Sequence, residues 1–164
     1  MEGLKRVAVI CVLRKGTNFL LLKRFNEPNK DTYVPVGGKV DAYEDPYHAA
    51  IREVWEEAGI KVPAMRFCGT LVETSPVKYN WMSFIYEAEI DFFEPPLCNE
   101  GVLEWHNFEN IHSFPTPKTD FFIYEYILQK KHFAFNALYD DKVNLLFMNE
   151  EIENKVVFSH ESQN

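Results

Sequence analysis

Short apolar runs in the first third of the chain are bounded by glycine, proline and charged residues. Val7 to Leu13, Phe19 to Lys23 and Tyr33 to Val36 are rich in β-branched and aromatic residues and too short for helices, so they predict strands. The segment Phe25 to Asp31 reads as a loop. From Pro46 the rhythm changes. Ala50, Ile51, Val54, Trp55 and Ala58 recur at helical spacing, whereas Glu53, Glu56 and Glu57 fall within one arc of roughly 100°. Asp45-Pro46 supplies an N-cap and a first-turn proline, and Gly59 a C-terminal stop. The expectation is an amphipathic helix from Pro46 to Ala58, with its apolar side on a core and its acidic side on a cleft. Further strands are predicted at Met65 to Glu73, Asn80 to Ile90 and Val102 to Asn107, with Pro76 and Pro95-Pro96 in the loops between them. Asp120 to Lys131 then carries Phe121, Phe122, Tyr124, Ile127 and Leu128 in a second helical rhythm. A hairpin of Phe133 to Tyr139 and Val143 to Met148, turning at Asp140-Asp141, closes the pattern. Helices flanking a mixed sheet define an α/β fold of the α/β/α sandwich type. Residues 1–149 are expected to form one domain and residues 150–164 a polar tail.

Composition narrows the partners. The chain has 164 residues, 46% hydrophobic and 15% aromatic, enough for one substantial core. Its formal charge of −8 argues against polymeric nucleic acid held by a basic surface and leaves small nucleotides open. No apolar stretch approaches the ~18 residues of a membrane span. Cys11, Cys68 and Cys98 lack metal-ligand spacing and read as reduced thiols in a cytoplasmic protein. The five histidines form no ligand set. Oligomeric state stays open, a homodimer included.

The acidic helix carries the chemistry. Like charges at i,i+3 and i,i+4 destabilise an exposed helix by a few tenths of a kcal/mol per pair. A solvated Glu-rich helix would interleave lysines, yet Arg52 is the sole base here. A bound divalent cation turns the repulsion into attraction. Magnesium takes oxygen ligands and bridges carboxylates to substrate phosphates, which makes Glu53, Glu56 and Glu57 candidate ligands. Gly37-Gly38, after Tyr33 to Val36, is expected to turn the chain sharply and leave carbonyls free beside these acids.

Gly38, Glu44, Arg52-Glu53-Val54, Glu56-Glu57 and Gly59-Ile60 meet every specified position of the Nudix box. The chain therefore resembles the Nudix hydrolase family, and flanking segments extend the resemblance over most of its length. The resemblance implies the Nudix α/β/α sandwich, a mixed β-sheet flanked by helices. It also implies Mg2+-dependent hydrolysis of a nucleoside diphosphate derivative, with Mn2+ as a substitute. The Gly38 carbonyl joins the implied ligands, and Glu53 is the candidate general base, a role that an acid outside the box can take. Arg52 is expected to orient a glutamate through a bidentate contact, and Glu44 to hold the loop–helix junction.

Outside the box, Asn99-Glu100-Gly101-Val102 is similar to the segment where MutT-like members supply a further metal-binding acid. Glu100 is the candidate, with Glu104 in reserve; a solvated loop acid is the competing reading. Phe114 to Phe122 resembles the C-terminal region of oxidised-purine (8-oxo-dGTP) triphosphate diphosphatases, which makes Asp120 a candidate base reader or else a helix N-cap. That group also uses an amide on the strand before the box, and Tyr33-Val34-Pro35-Val36 has none. Tyr33 is a base-stacking candidate or a core aromatic, and Lys23 and Arg24 are phosphate contacts or strand-edge charges. The implied reaction is nucleoside triphosphate to monophosphate and pyrophosphate. Pro76 gives a second reading, since a proline at this distance from the box marks ADP-ribose pyrophosphatases. A non-catalytic nucleotide binder is a third, although such proteins usually lose an acid of the box.

Overall fold

The computed structural model describes residues 2–160. In chain order the elements are β1 Arg6–Lys15, β2 Asn18–Arg24, β3 Tyr33–Val34, β4 Val36–Lys39, α1 Pro46–Ala58, β5 Arg66–Thr74, β6 Trp81–Glu89 and β7 Gly101–Asn107. A 3-10 helix at Phe108–Ser113, α2 Lys118–Leu128, β8 Phe133–Tyr139, β9 Leu145–Glu150 and β10 Lys155–Ser159 follow. The strands join one mixed sheet in the order β10-β9-β8-β5-β6-β1-β2-β3, with β4 on β1 and β7 on β2. The β1–β6 and β5–β8 pairs are parallel and the others antiparallel.

Strand alternation builds two cores, one on each face of the sheet. Val9, Cys11 and Leu13 of β1, with Leu20 and Leu22 of β2, pack under Ala49, Ala50, Val54 and Ala58 of α1. Val12, Phe19 and Leu21 face the other way and meet Ile123, Tyr124, Tyr126 and Ile127 of α2. The α/β/α sandwich follows. No helix among the described residues is long and apolar enough to cross a membrane.

Four details differ from the sequence expectation. Trp55 is half exposed beneath the Lys61 ammonium, 5.4 Å from its ring, because it lies at the rim of the apolar arc and the core side is filled by alanines and Val54. Gly37 and Gly38 are not a turn. They continue β4 along Ile10 and Val9, and the break falls at Pro35, which has no N–H to pair. Helix α2 begins at Lys118 with Pro117 at its N-cap position, so Asp120 is a first-turn residue and not the cap. The segment expected as a polar tail contains β10, which extends the sheet along β9 and sets Val157 and Phe158 on the α2 core.

Glu150 explains why the chain returns there. It is fully buried, and its carboxylate accepts the backbone N–H groups of Ala134, Ile152 and Glu153 at 2.9, 2.9 and 2.6 Å. A side-chain acceptor thus stands where the tight turn into β10 has no backbone acceptor to offer. Glu150→Ala should lower stability by about 2 kcal/mol or more, since a buried donor left unpaired costs about 1–3 kcal/mol. Urea unfolding measures this, and an unchanged midpoint would remove Glu150 from that role.

Candidate active site

Helix α1 is fixed before its acids are placed. Asp45 accepts the His48 N–H at 3.0 Å, Pro46 opens the first turn, and Gly59 ends the helix in the left-handed region at φ 69°. The spacing then delivers Arg52, Glu53, Glu56 and Glu57 to the side beside β4, at three different depths. Glu57 is buried, the Glu53 side chain is 12% exposed and that of Glu56 is 53% exposed.

Arg52 ties this side together. Its Nε and Nη2 donate to the two oxygens of Glu44 at 2.9 and 2.8 Å, the bidentate geometry that matches a guanidinium to a carboxylate. Its Nη1 reaches Glu53 at 2.7 Å and Glu56 at 3.2 Å, and Nη2 also donates to the Lys39 carbonyl at 3.0 Å. Glu44 accepts the Asp41 N–H as well, at 3.0 Å. The Arg52 hydrogen bonds, with that N–H, pull the Glu44 carboxyl down to about 2. Glu44 therefore joins loop, strand and helix.

The deeper acids shift the other way. Burial raises Glu53 above the usual carboxylate range against the pull of Arg52, and Glu56 and Glu100 add to the rise. Burial also pushes Glu57 up to about 8, opposed by the Gly37 N–H, which donates to it at 2.9 Å, and reinforced by Glu100. A Cβ at Gly38 would stand 2.3 Å from a Glu53 oxygen, so any side chain there would push the Glu53 carboxylate aside. Backbone and carboxylate are thus in direct apposition.

Among the described residues, no three Asp, Glu, His or Cys side chains already stand in ligating positions. Arg52 holds Glu53 and the Gly37 N–H holds Glu57. The donor chemistry nevertheless fits a hard divalent cation, since burial raises the proton affinity of the Glu53 and Glu57 oxygens and the exposed Glu100 adds its negative charge beside them.

These acids open on a cavity of about 540 Å³. Gly37, Gly38, Lys39, Asp41, Glu53, Glu100 and Arg24 line one part of it, and Leu71, Glu73, Tyr79, Trp81, Thr119 and Asp120 another. Of the residues singled out from sequence, Gly38, Glu53, Glu100, Arg24 and Asp120 therefore line the same cavity. Glu57 lies just behind it. Glu56, Glu44 and Arg52 do not line it. Tyr33 and Lys23 do not line it: the Tyr33 ring packs edge-on against His106 and Phe114 and its hydroxyl donates to Glu104 at 3.1 Å, while the Lys23 ammonium stands 5.9 Å over that ring. That contact also takes Glu104 away from the cavity.

Sequence reasoning missed Glu73, Tyr79 and Trp81. One signal was present for Glu73, because strand alternation places it on the face of buried Leu71, an inward position for a carboxylate. Tyr79 and Trp81 lie where a loop enters β6, and only the fold brings that point beside α2.

The fold and the acid-lined cleft define an enzyme that hydrolyses phosphate linkages. The chain belongs to the NUDIX domain family, whose model matches residues 4–130, and it is a pyrophosphohydrolase acting on nucleoside diphosphate derivatives. A Nudix hydrolase of Bacillus subtilis, YvcI, is 28% identical over 134 residues, covering 79% of this chain and 82% of that protein. Mouse diphosphoinositol polyphosphate phosphohydrolase 3-alpha is 31% identical over 111 residues, covering 66% of this chain and 68% of its own length. The crystal structure of a MutT protein from Bacillus halodurans superposes with a TM-score of 0.78 at 24% identity, over 90% of this chain and 98% of that one, which shows the shared fold.

Asp120 yields a stability prediction. Complete burial raises its carboxyl well above the usual range, the negative charge of Glu73 adds to this, and the Thr119 hydroxyl opposes it. The folded state thus holds a proton that the unfolded chain releases near its ordinary value of about 3.9. Stability from this group is full below that value and declines as pH rises through it toward the folded pKa. Asp120→Asn lacks the decline, so its denaturation midpoint should gain on wild type as pH rises above about 4. Parallel profiles would contradict this account.

Proposed function

We propose that this enzyme hydrolyses a nucleoside triphosphate to the monophosphate and pyrophosphate in a Mg2+-dependent reaction, an oxidised purine nucleotide such as 8-oxo-dGTP among its candidates. The observation that carries the reading is the division of one cavity. Glu53, Glu100 and the Gly38 backbone form one part, with Arg24 and Lys39 beside them, and Tyr79, Trp81 and Thr119 with the acids Glu73 and Asp120 form the other. A phosphate chain fits the first and a heterocycle the second.

Glu53, Glu57 and Glu100, with the Gly38 carbonyl, are the residues that would hold the cation. When bound, it neutralises phosphate charge and acidifies a coordinated water. Glu53 is our candidate to take the proton from water attacking phosphorus; its raised proton affinity and its position on the cavity wall support the reading. Arg24 and Lys39 offer countercharge to the leaving pyrophosphate. Arg52 does not reach the cavity wall and serves to hold Glu53 and Glu56 in position.

The activity named for the mouse relative, on diphosphoinositol polyphosphates, is the weaker match. Glu73 and Asp120 would face the phosphates around such a ring. Pro76, the mark of an ADP-ribose pyrophosphatase, does not line the cavity, although Tyr79 of the same loop does.

The test is Mg2+-dependent turnover on normal and oxidised nucleoside triphosphates, ADP-ribose, dinucleoside polyphosphates and diphosphoinositol polyphosphates, with products resolved. Monophosphate plus pyrophosphate is the expected outcome; ADP-ribose cleavage with inert triphosphates would overturn it. Glu53→Gln and Glu57→Gln should each lower kcat by roughly a hundredfold or more, the scale of losing one preorganised electrostatic contact. Near-native turnover in both would remove the acids from metal binding.

A further inference from the structure

The inner part of the cavity contains an arrangement that the reaction itself does not require. Leu71 and Glu73 project from β5 into it, and Thr119 and Asp120 approach from the first turn of α2. Glu73 and Asp120 are each 6% exposed. Two buried carboxyl groups in one chamber cannot both ionise without repulsion, in keeping with the proton Asp120 holds, and an unpaired carboxylate loses the hydration it had in water.

The local hydrogen bonds are unevenly shared. Tyr139 and Tyr79 both donate to Oε1 of Glu73, at 2.7 and 3.1 Å. The Lys5 ammonium donates to the Glu73 backbone carbonyl at 2.6 Å, to Thr74 Oγ1 at 2.6 Å and to Asn80 Oδ1 at 3.1 Å, which pins the end of β5. Among the described residues, nothing donates to Glu73 Oε2. Among the described residues, the hydroxyl of its neighbour Thr119 is the one side-chain partner of Asp120. The surroundings thus hold Glu73 by one oxygen and leave the other without a protein donor, while Glu73 and Asp120 both line the cavity. Leu71 and Trp81 supply apolar walls, and the Arg6 guanidinium stands 5.6 Å over the Trp81 ring.

We propose that Glu73 is a specificity-determining residue which, with Asp120, receives two adjacent N–H donors from the heterocyclic end of the substrate. A base with a 2-amino group beside a ring N–H has that edge. A base with a single donor leaves one buried oxygen unpaired, and sites built to hydrogen-bond a group reject analogues that lack it. An anionic group at this end meets the negative charge of Glu73. The Tyr79–Tyr139 pair, edge-on with ring centroids 5.4 Å apart, acts as a positioning clamp on Glu73. This inference rests on the nucleotide reading of the cavity and adds the edge that the cavity selects.

Calorimetric binding of GMP, IMP and AMP to the full chain without divalent cation tests it independently of turnover. GMP should bind at least about tenfold more tightly than IMP, which lacks the 2-amino group, and more tightly than AMP. Glu73→Gln keeps the size of the side chain but turns an amide toward the donors. It should weaken GMP at least tenfold and IMP less than threefold, collapsing the preference. Tyr139→Phe, which removes one clamp, should narrow the GMP-to-IMP ratio.

Equal binding of the three monophosphates by wild type overturns the proposal, as does a Glu73→Gln variant that weakens all three alike. Should that variant not fold, the wild-type ratio decides alone. GMP preference without triphosphate hydrolysis would sink the proposed reaction and leave this inference standing. Triphosphate hydrolysis without base preference would do the reverse.

Discussion

The five hydrogen bonds of the Arg52 guanidinium hold together a site that would otherwise repel itself. Four carboxylates lie within two turns of helix and the loop before it, and one permanently charged fork joins three of them to the β4 backbone. Lysine could not replace it, because a single ammonium cannot satisfy a bidentate carboxylate and still reach a carbonyl and two more acids. The packing of α1 on β4 and the placement of Glu53 against Gly38 both depend on this cation.

The box acids divide their work by depth. Glu44 is drawn toward the charged form by Arg52 and is structural in character. Glu53 and Glu57 are drawn toward the neutral form by burial, so a divalent cation arriving there displaces protons and relieves repulsion. Glu56 is half exposed and its protein contact is Arg52. The same residue type serves three purposes because solvent access changes along one helical arc.

The second pair of acids obeys the same physics toward a different end. Glu73 and Asp120 are also desolvated and mutually repulsive, but tyrosines, a lysine and a threonine surround them where the box acids have an arginine and backbone groups. Neutral donors orient a carboxylate without cancelling its charge. Such an acid can discriminate between ligands, whereas one ion-paired to arginine is committed to the protein.

Local rules determined much of this in the sequence alone. Helix α1 was legible to the residue because Asp45, Pro46 and Gly59 are strong local signals, and its acids because a helix maps spacing onto one face. Most strands were legible as short runs of β-branched and aromatic residues bounded by turn residues. The surroundings of each side chain were not, since they depend on segments distant in sequence. Pro35 split an apparent single strand between two partners, Glu104 was drawn to Tyr33, and Asp120 became a cavity wall because Pro117 already occupied the helix start. Glu73 shows the division most clearly. Alternation turned it inward, but only the tertiary structure placed Tyr79, Tyr139 and Asp120 around it, because those contacts join β5 to residues 6, 66 and 47 positions away. Sequence thus determined which groups exist and the face each takes on its own element, while burial and partner, which set their chemistry, were decided by long-range packing.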